Sequence, residues 1–185
     1  MIKELEKKAG EKMSGVIDHL KKDYASVRTG RASLALVEGL MVDYYGTPTA
    51  LQKVATLGVP DPQTISIQPW EPKVIPMIEK AILKSDLDLT PGNDGKVVRI
   101  KIPPLTEERR KQLVKVIKKK AEEAKIAVRN IRRDVNEELK KLEKEQHISE
   151  DETKRSQAEN QKLTDSYIKQ IDEVTSHKEK EIMEV

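Results

Sequence analysis

The stretch KIAVRNIRRDVNEELKK, residues 125–141, sets Arg129, Arg132 and Arg133 among apolar residues that recur at helical spacing. A guanidinium is a planar, permanently charged fork of N–H donors that matches phosphate oxygens and base edges. Lysine, the basic residue that dominates the rest of the chain, offers only a point charge. On a helical wheel with Arg110 at zero, the apolar seam spans about 300° to 20°, with Arg132 near 40°, Arg129 near 100° and Arg133 near 140°. Arg132 and Arg129 thus flank one edge of the seam, and Arg110 lies in line with it. Arg28, at the end of the first helical segment, is a further candidate whose distance from this row depends on how the helices pack. Pairing with glutamates on a neighbouring helix is the structural alternative for each arginine. As a set they point to a polyanion, and their reach suits a large folded RNA. No helix-turn-helix, zinc finger or aromatic RNA-binding strand is visible.

Charge is distributed in the same sense. Residues 106–147 carry fourteen basic against nine acidic residues, a surplus of +5 within a chain total of +3. Residues 1–29 stand at +2, residues 30–105 at zero and residues 148–185 at −4. A basic stripe in one segment speaks for a polyanionic partner more than a mildly basic total does.

Other chemistry is sparse. The chain has no cysteine, which excludes disulfides, thiolate metal sites and thiol nucleophiles. His19, His147 and His177 are too far apart for a metal pair on one helical turn; His147 reads as a helix-end or loop residue. GNDGK, residues 92–96, lacks the glycine spacing and the Ser or Thr of a phosphate loop and reads as a turn. No carboxylate pair stands out as an acid and base, so no catalytic residue, metal or cofactor is expected. The opening MIKELEKKAGEK has no signal-peptide core and no apolar run reaches membrane-spanning length, so a cytoplasmic protein without a membrane contact is expected.

The elements that must carry the arginines follow from periodicity. A first helix is predicted from about Ile2 to Val27 with a seam of Ile2, Leu5, Ala9, Met13, Val16, Leu20 and Val27, stopping at TGR, where Gly30 has backbone freedom. A second begins after PPLTEERR: Thr106 caps it, Glu107 and Glu108 suit its positive end, and Pro103 and Pro104 prevent an earlier start. Its seam runs Ile117, Ala121, Ala124, Val128, Ile131, Val135, Leu139 and Leu142, and no Gly or Pro follows Leu105, so it extends for about 40 residues. A third begins at Ser149, with Glu152 at capping-box spacing, and Leu163, Tyr167, Ile171, Val174 and Ile182 on its buried side. Between them, LMVDYY, TISIQP and KVVRIKIP read as strands, VIPMIEKAILKSDL as a helix and PGNDGK as a turn. A helix with one apolar stripe cannot bury it alone. The expectation is therefore an α+β chain: an elongated three-helix bundle from residues 1–29 and 106–185, with a small β/α/β domain, residues 30–105, inserted. Its two crossings, at Gly30–Arg31 and Pro103–Pro104, form a hinge.

VRTGRAS (27–33), YYGTPT (44–49), PPLTEERRK (103–111), AVRNIRRD (127–134) and ISEDE with QKLTD (148–165) are co-linear over essentially the whole chain. In this the sequence closely resembles the bacterial ribosome recycling factor family. The resemblance implies an L-shaped molecule, a three-helix bundle with a smaller mixed domain on a two-stranded hinge. It implies binding to the post-termination ribosome, separation of its subunits with elongation factor G and GTP hydrolysis, and release of ribosomes from mRNA. The family's RNA-contacting arginines match Arg110, Arg129 and Arg132; Arg28 and Arg133 are added to that set. Their partner would be large-subunit ribosomal RNA at the intersubunit face, engaged by a monomer without a nucleotide site of its own. A helical scaffold that never touches RNA and a hydrolase are the alternatives, separable by salt-sensitive large-subunit binding and by nucleotide turnover.

Overall fold

The computed structural model describes residues 1–145 and 147–184. The chain folds as two compact units, one of residues 1–24 and 111–184, the other centred on residues 25–110.

The first unit is helical: α1 (Ile2–Ala25), α3 (Glu107–Lys144) from Lys111 onward, and α4 (Glu150–Met183). The Thr106 hydroxyl accepts the Arg109 N–H at 3.1 Å and starts α3, whose 38 residues rise about 57 Å. Its buried residues are Leu113, Ile117, Ala121, Ala124, Val128, Val135 and Leu139, with Ile131 and Leu142 half-buried. α4 opens with the capping box: Glu152 N–H donates to Ser149 Oγ at 3.3 Å, and Ser149 N–H donates back to Glu152 Oε2 at 2.8 Å.

Two expectations need correction. α1 ends at Ala25 rather than Val27, and its buried stripe is Ala9, Met13, Ile17, Leu20 and Tyr24. Val16 stays half-buried, because a four-residue step from Met13 puts Ile17 deeper in the seam. The buried side of α4 is mostly polar: Thr153, Ser156, Asn160, Thr164, Thr175 and Lys178, with only Ile171 and Ile182 apolar. Leu163, Tyr167 and Val174 are half-buried. Thr164 and Thr175 donate to the carbonyls of Asn160 and Ile171, one turn back, and Ser156 donates to Glu6 Oε1 of α1 at 2.9 Å. Hydroxyls satisfied in this way can be buried without leaving an unpaired donor.

The second unit holds a β1–β2 hairpin (Met41–Tyr44, Thr47–Ala50) and a four-stranded antiparallel sheet in the order β3-β4-β6-β5. β3 spans Ala55–Asp61, β4 Thr64–Pro69, β5 Pro91–Asn93 and β6 Val98–Lys101. Ile65 and Ile67 of β4 and Val98 and Ile100 of β6 alternate into a core shared with Ile75, Ile78 and Ile82 of α2 (Ile75–Lys84). Pro76 sits in the first turn of α2, where its missing N–H costs no helix bond. β2, β3 and β5 lie beyond what periodicity predicts. Each contains Pro or Gly, and each is an edge strand, where a missing ladder donor is tolerated.

Tyr45 and Gly46 turn the first hairpin at φ 49° and 83°. Tyrosine in this left-handed region carries strain of about 1 kcal/mol. The Tyr45 and Tyr44 hydroxyls donate to the two oxygens of Glu71 at 2.8 and 2.7 Å, and the rings meet edge-on with centroids 4.6 Å apart.

Candidate nucleic-acid interface

Four lysines of α3 are paired with carboxylates, while Lys115, Lys119, Lys140 and Lys144 have no ion-pair partner among the described residues. Lys118 pairs with Glu179 at 3.6 Å, Lys120 with Asp23 at 3.1 Å, and Lys141 with Glu138 at 3.6 Å. Lys125 holds Asp172 at 2.7 Å and Glu122 at 3.2 Å, and these bonds, Asp172 first, raise its pKa. Arg129 and Arg133 do the opposite. Both are exposed, and among the described residues neither has an ion-pair or hydrogen-bond partner. They stand four residues apart, where like charges repel by a few tenths of a kcal/mol. A surface selected only for stability would place a glutamate there.

Arg132 is half-buried at the seam edge and is held by a neutral group. Its Nη1 donates to Gln161 Oε1 of α4 at 2.8 Å. Gln161 in turn donates from Nε2 to Asp165 Oδ1 at 2.8 Å. Asn160 Nδ2 donates to the Arg132 backbone carbonyl at 3.0 Å and to Asn136 Oδ1 at 2.9 Å, fixing α4 against α3 at this level. The bond to Gln161 orients the guanidinium without pairing it to a carboxylate.

The structure therefore brings Arg129, Arg132 and Arg133 together in the helical unit, and places Arg110 and Arg28 in the other. Arg110 stands half-buried in the first turn of α3, its N–H donating to the Thr106 carbonyl at 3.0 Å. Arg28 follows α1 rather than ending it. It is half-buried, and its Nη2 donates to the Pro103 carbonyl at 3.3 Å. Gly30 lies close by: a Cβ there would sit 3.8 Å from Pro104 Cα and 3.7 Å from the Leu105 nitrogen, ordinary contact distances. Gly30 is not in the left-handed region, so its backbone freedom is not what stops α1. The Arg31 N–H faces the Thr29 hydroxyl at 3.4 Å.

The expected turn is shorter than GNDGK: Gly92 and Asn93 belong to β5, and the chain turns over residues 94–97. Asp94 Oδ1 accepts the Lys96 and Val97 N–H groups at 3.0 and 2.8 Å, and Asn93 Oδ1 accepts that of Gly95 at 3.0 Å. The Val97 N–H first, then the Arg99 guanidinium and the Lys96 N–H, hold the Asp94 carboxyl far below the usual carboxylate range. The amides a phosphate would need are already occupied. Among the described residues no three His, Asp or Glu converge as metal ligands, and no helix is long and apolar enough to cross a membrane.

Gln161, Asp165 and Asn160 were not reached by sequence reasoning as site residues. A signal was present: Gln161 and Asp165 are four apart within QKLTD, on one face of α4.

A family model described as ribosome recycling factor matches residues 20–183. The ribosome-recycling factor of Syntrophobacter fumaroxidans is 59% identical over 177 residues, covering 96% of each chain. A solution structure of the ribosome recycling factor superposes with a TM-score of 0.81 at 43% identity, covering 100% of this chain and 98% of the other. The T. thermophilus factor, in a structure with E. coli elongation factor G bound to the E. coli post-termination complex, aligns over the whole of both chains at 47% identity and a TM-score of 0.67. This chain belongs to the ribosome recycling factor family.

Proposed function

We propose that this protein binds the post-termination ribosome through α3 and, with elongation factor G and its GTP hydrolysis, separates the subunits and frees the ribosome from mRNA. Arg129, Arg132 and Arg133, with Arg110 and Arg28, face large-subunit ribosomal RNA at the intersubunit side. One observation carries this reading: Arg132 is oriented by a neutral amide, and Arg129 and Arg133 beside it have no carboxylate partner among the described residues, so three guanidinium charges stand together unneutralised on one stretch of α3. Unpaired, oriented guanidinium groups are what a phosphate surface requires. The likeness to a factor bound beside elongation factor G on a post-termination complex supports the choice of partners.

The protein supplies grip and leverage rather than chemistry, and works in the cytoplasm as a monomer without a cofactor. A capped helix of 38 residues without Gly or Pro suits a lever. Gly30, Arg31, Pro103 and Pro104 serve as the hinge. Proline stiffens one crossing, and the approach of Gly30 to Pro104, with Arg28 reaching Pro103, ties the two crossings together.

The test is equilibrium binding to isolated large subunits. If three arginines each hold a phosphate, raising salt from 50 to 200 mM weakens their share of the affinity roughly 20–40-fold. Arg132→Ala weakens binding while helicity and melting temperature stay at parental values. Parental affinity for that variant overturns the reading.

A further inference from the structure

Arg132 differs from its neighbours in being held before any ligand arrives, and the chemistry of the holding group is specific. A glutamate at position 161 could make the same bond to Arg132, and as a charge-assisted one it would be stronger. It would also cancel the charge. Glutamine keeps the orientation and leaves the charge in place. A glutamine amide has an acceptor end and a donor end that can exchange by rotation. Here Asp165 settles the choice: its carboxylate takes the Nε2 donor at 2.8 Å, so the carbonyl end faces Arg132 Nη1, also at 2.8 Å. One guanidinium N–H is thereby used, and the others of the fork remain for a ligand. Asn160, bonded to the Arg132 carbonyl and to Asn136, keeps the two helices from sliding at this level.

We propose that Gln161 and Asp165 are positioning residues that present Arg132 to RNA phosphate as a pre-oriented cation with its charge intact. This rests on the RNA-binding role of Arg132 given above. The carboxylate stays one amide away from the guanidinium, so α4 orients the arginine through a hydrogen-bond relay and not through an ion pair. A side chain fixed beforehand loses less freedom when it binds.

The experiment measures binding of the full-length protein to vacant large ribosomal subunits between 50 and 200 mM salt, for the parent, R132A, Q161A, Q161E and D165N. Gln161 and Asp165 are exposed, so helicity and melting temperature are expected to hold. Removing one phosphate contact lowers the loss of affinity across this range by roughly threefold, so R132A should show that reduced salt response. Q161E should show the same reduction, because the new ion pair neutralises Arg132. Q161A and D165N should weaken binding severalfold with the parental salt response, because the charge survives and only its orientation is lost. Q161A combined with R132A should be no weaker than R132A alone, the sign of a shared pathway. If R132A is impaired while Q161A and Q161E bind like the parent, or if Q161E and Q161A share one salt response, the positioning role is wrong and the RNA role of Arg132 stands. If R132A itself binds with parental affinity and salt response, the reading beneath the proposal is wrong.

Discussion

Tyr24 of α1 and Thr175 of α4 bring their hydroxyls to 2.9 Å, and the same Tyr24 hydroxyl lies 2.9 Å from the Ile117 carbonyl of α3. One phenol thus ties all three helices. Thr175 also reaches the Ile171 carbonyl at 2.7 Å, so two hydroxyl protons serve three contacts. Burial, ahead of every other influence, raises the Tyr24 pKa. Tyr24→Phe should destabilise the helical unit by about 1 kcal/mol, read from denaturant unfolding, with little change in helix content. A parental midpoint would show that the contact is incidental.

Glu71 should act as a pH-dependent latch on the β1–β2 hairpin. The Tyr44 bond, then the Tyr45 bond, lowers its pKa from the ordinary 4.5, and the Glu71 bond raises both tyrosines above 10.0. The carboxylate's contribution is present above its ordinary value and lost as pH falls through the lowered one. The phenols' contribution is present below 10.0 and lost as pH rises through the raised values. Carboxyl NMR titration should return Glu71 toward its ordinary pKa in a Tyr44→Phe/Tyr45→Phe variant. An unchanged titration would remove the latch.

The turn at Asp94 and Gly95 should be sensitive to backbone and to acid. Gly95 has φ +88° with open space around it, so Gly95→Ala meets no clash and only conformational strain, expected at about 1 kcal/mol. Asp94, with its lowered pKa, supports the β5–β6 turn above the ordinary carboxylate value, and that support is lost in strong acid. Amide exchange of Val97 should quicken in Asp94→Ala and in Gly95→Ala; protection equal to the parent's in both would sink the argument.

Gly30 allows a direct test of the hinge. In this conformation a Cβ meets only ordinary contacts, so Gly30→Ala should fold and bind large subunits like the parent. If rotation draws on backbone angles that alanine avoids, the variant should separate subunits more slowly in the presence of elongation factor G and GTP. Splitting at the parental rate would count against Gly30 as a moving part.

Helix α3 was legible almost to the residue, because the diproline, Thr106 and the two glutamates that open it act locally. The strands legible from the sequence are β4 and β6, central in the four-stranded sheet with β-branched residues that alternate, and β1 of the hairpin. β2, β3 and β5 escaped because Pro48, Pro60 and Pro91 look like interruptions until the sheet order makes them edges. The face of α4 escaped for a different reason. A search for apolar periodicity cannot find a seam of Thr153, Ser156, Asn160 and Thr164. The arginines announced themselves by residue type. Gln161 could not, since its meaning depends on the helix register that brings it beside Arg132, 29 residues away in the chain.

That seam on α4 also bears on temperature. The heat capacity of unfolding grows with apolar surface exposed and shrinks with polar surface exposed. A helix that hides Thr153, Ser156, Asn160, Thr164 and Thr175 releases little hydrocarbon when it detaches. The helical unit should therefore unfold with a heat-capacity increment below the ~12–15 cal/mol/K per residue of ordinary globular proteins. Its stability curve should then be flatter than that of an ordinary domain of this size, which calorimetry can check.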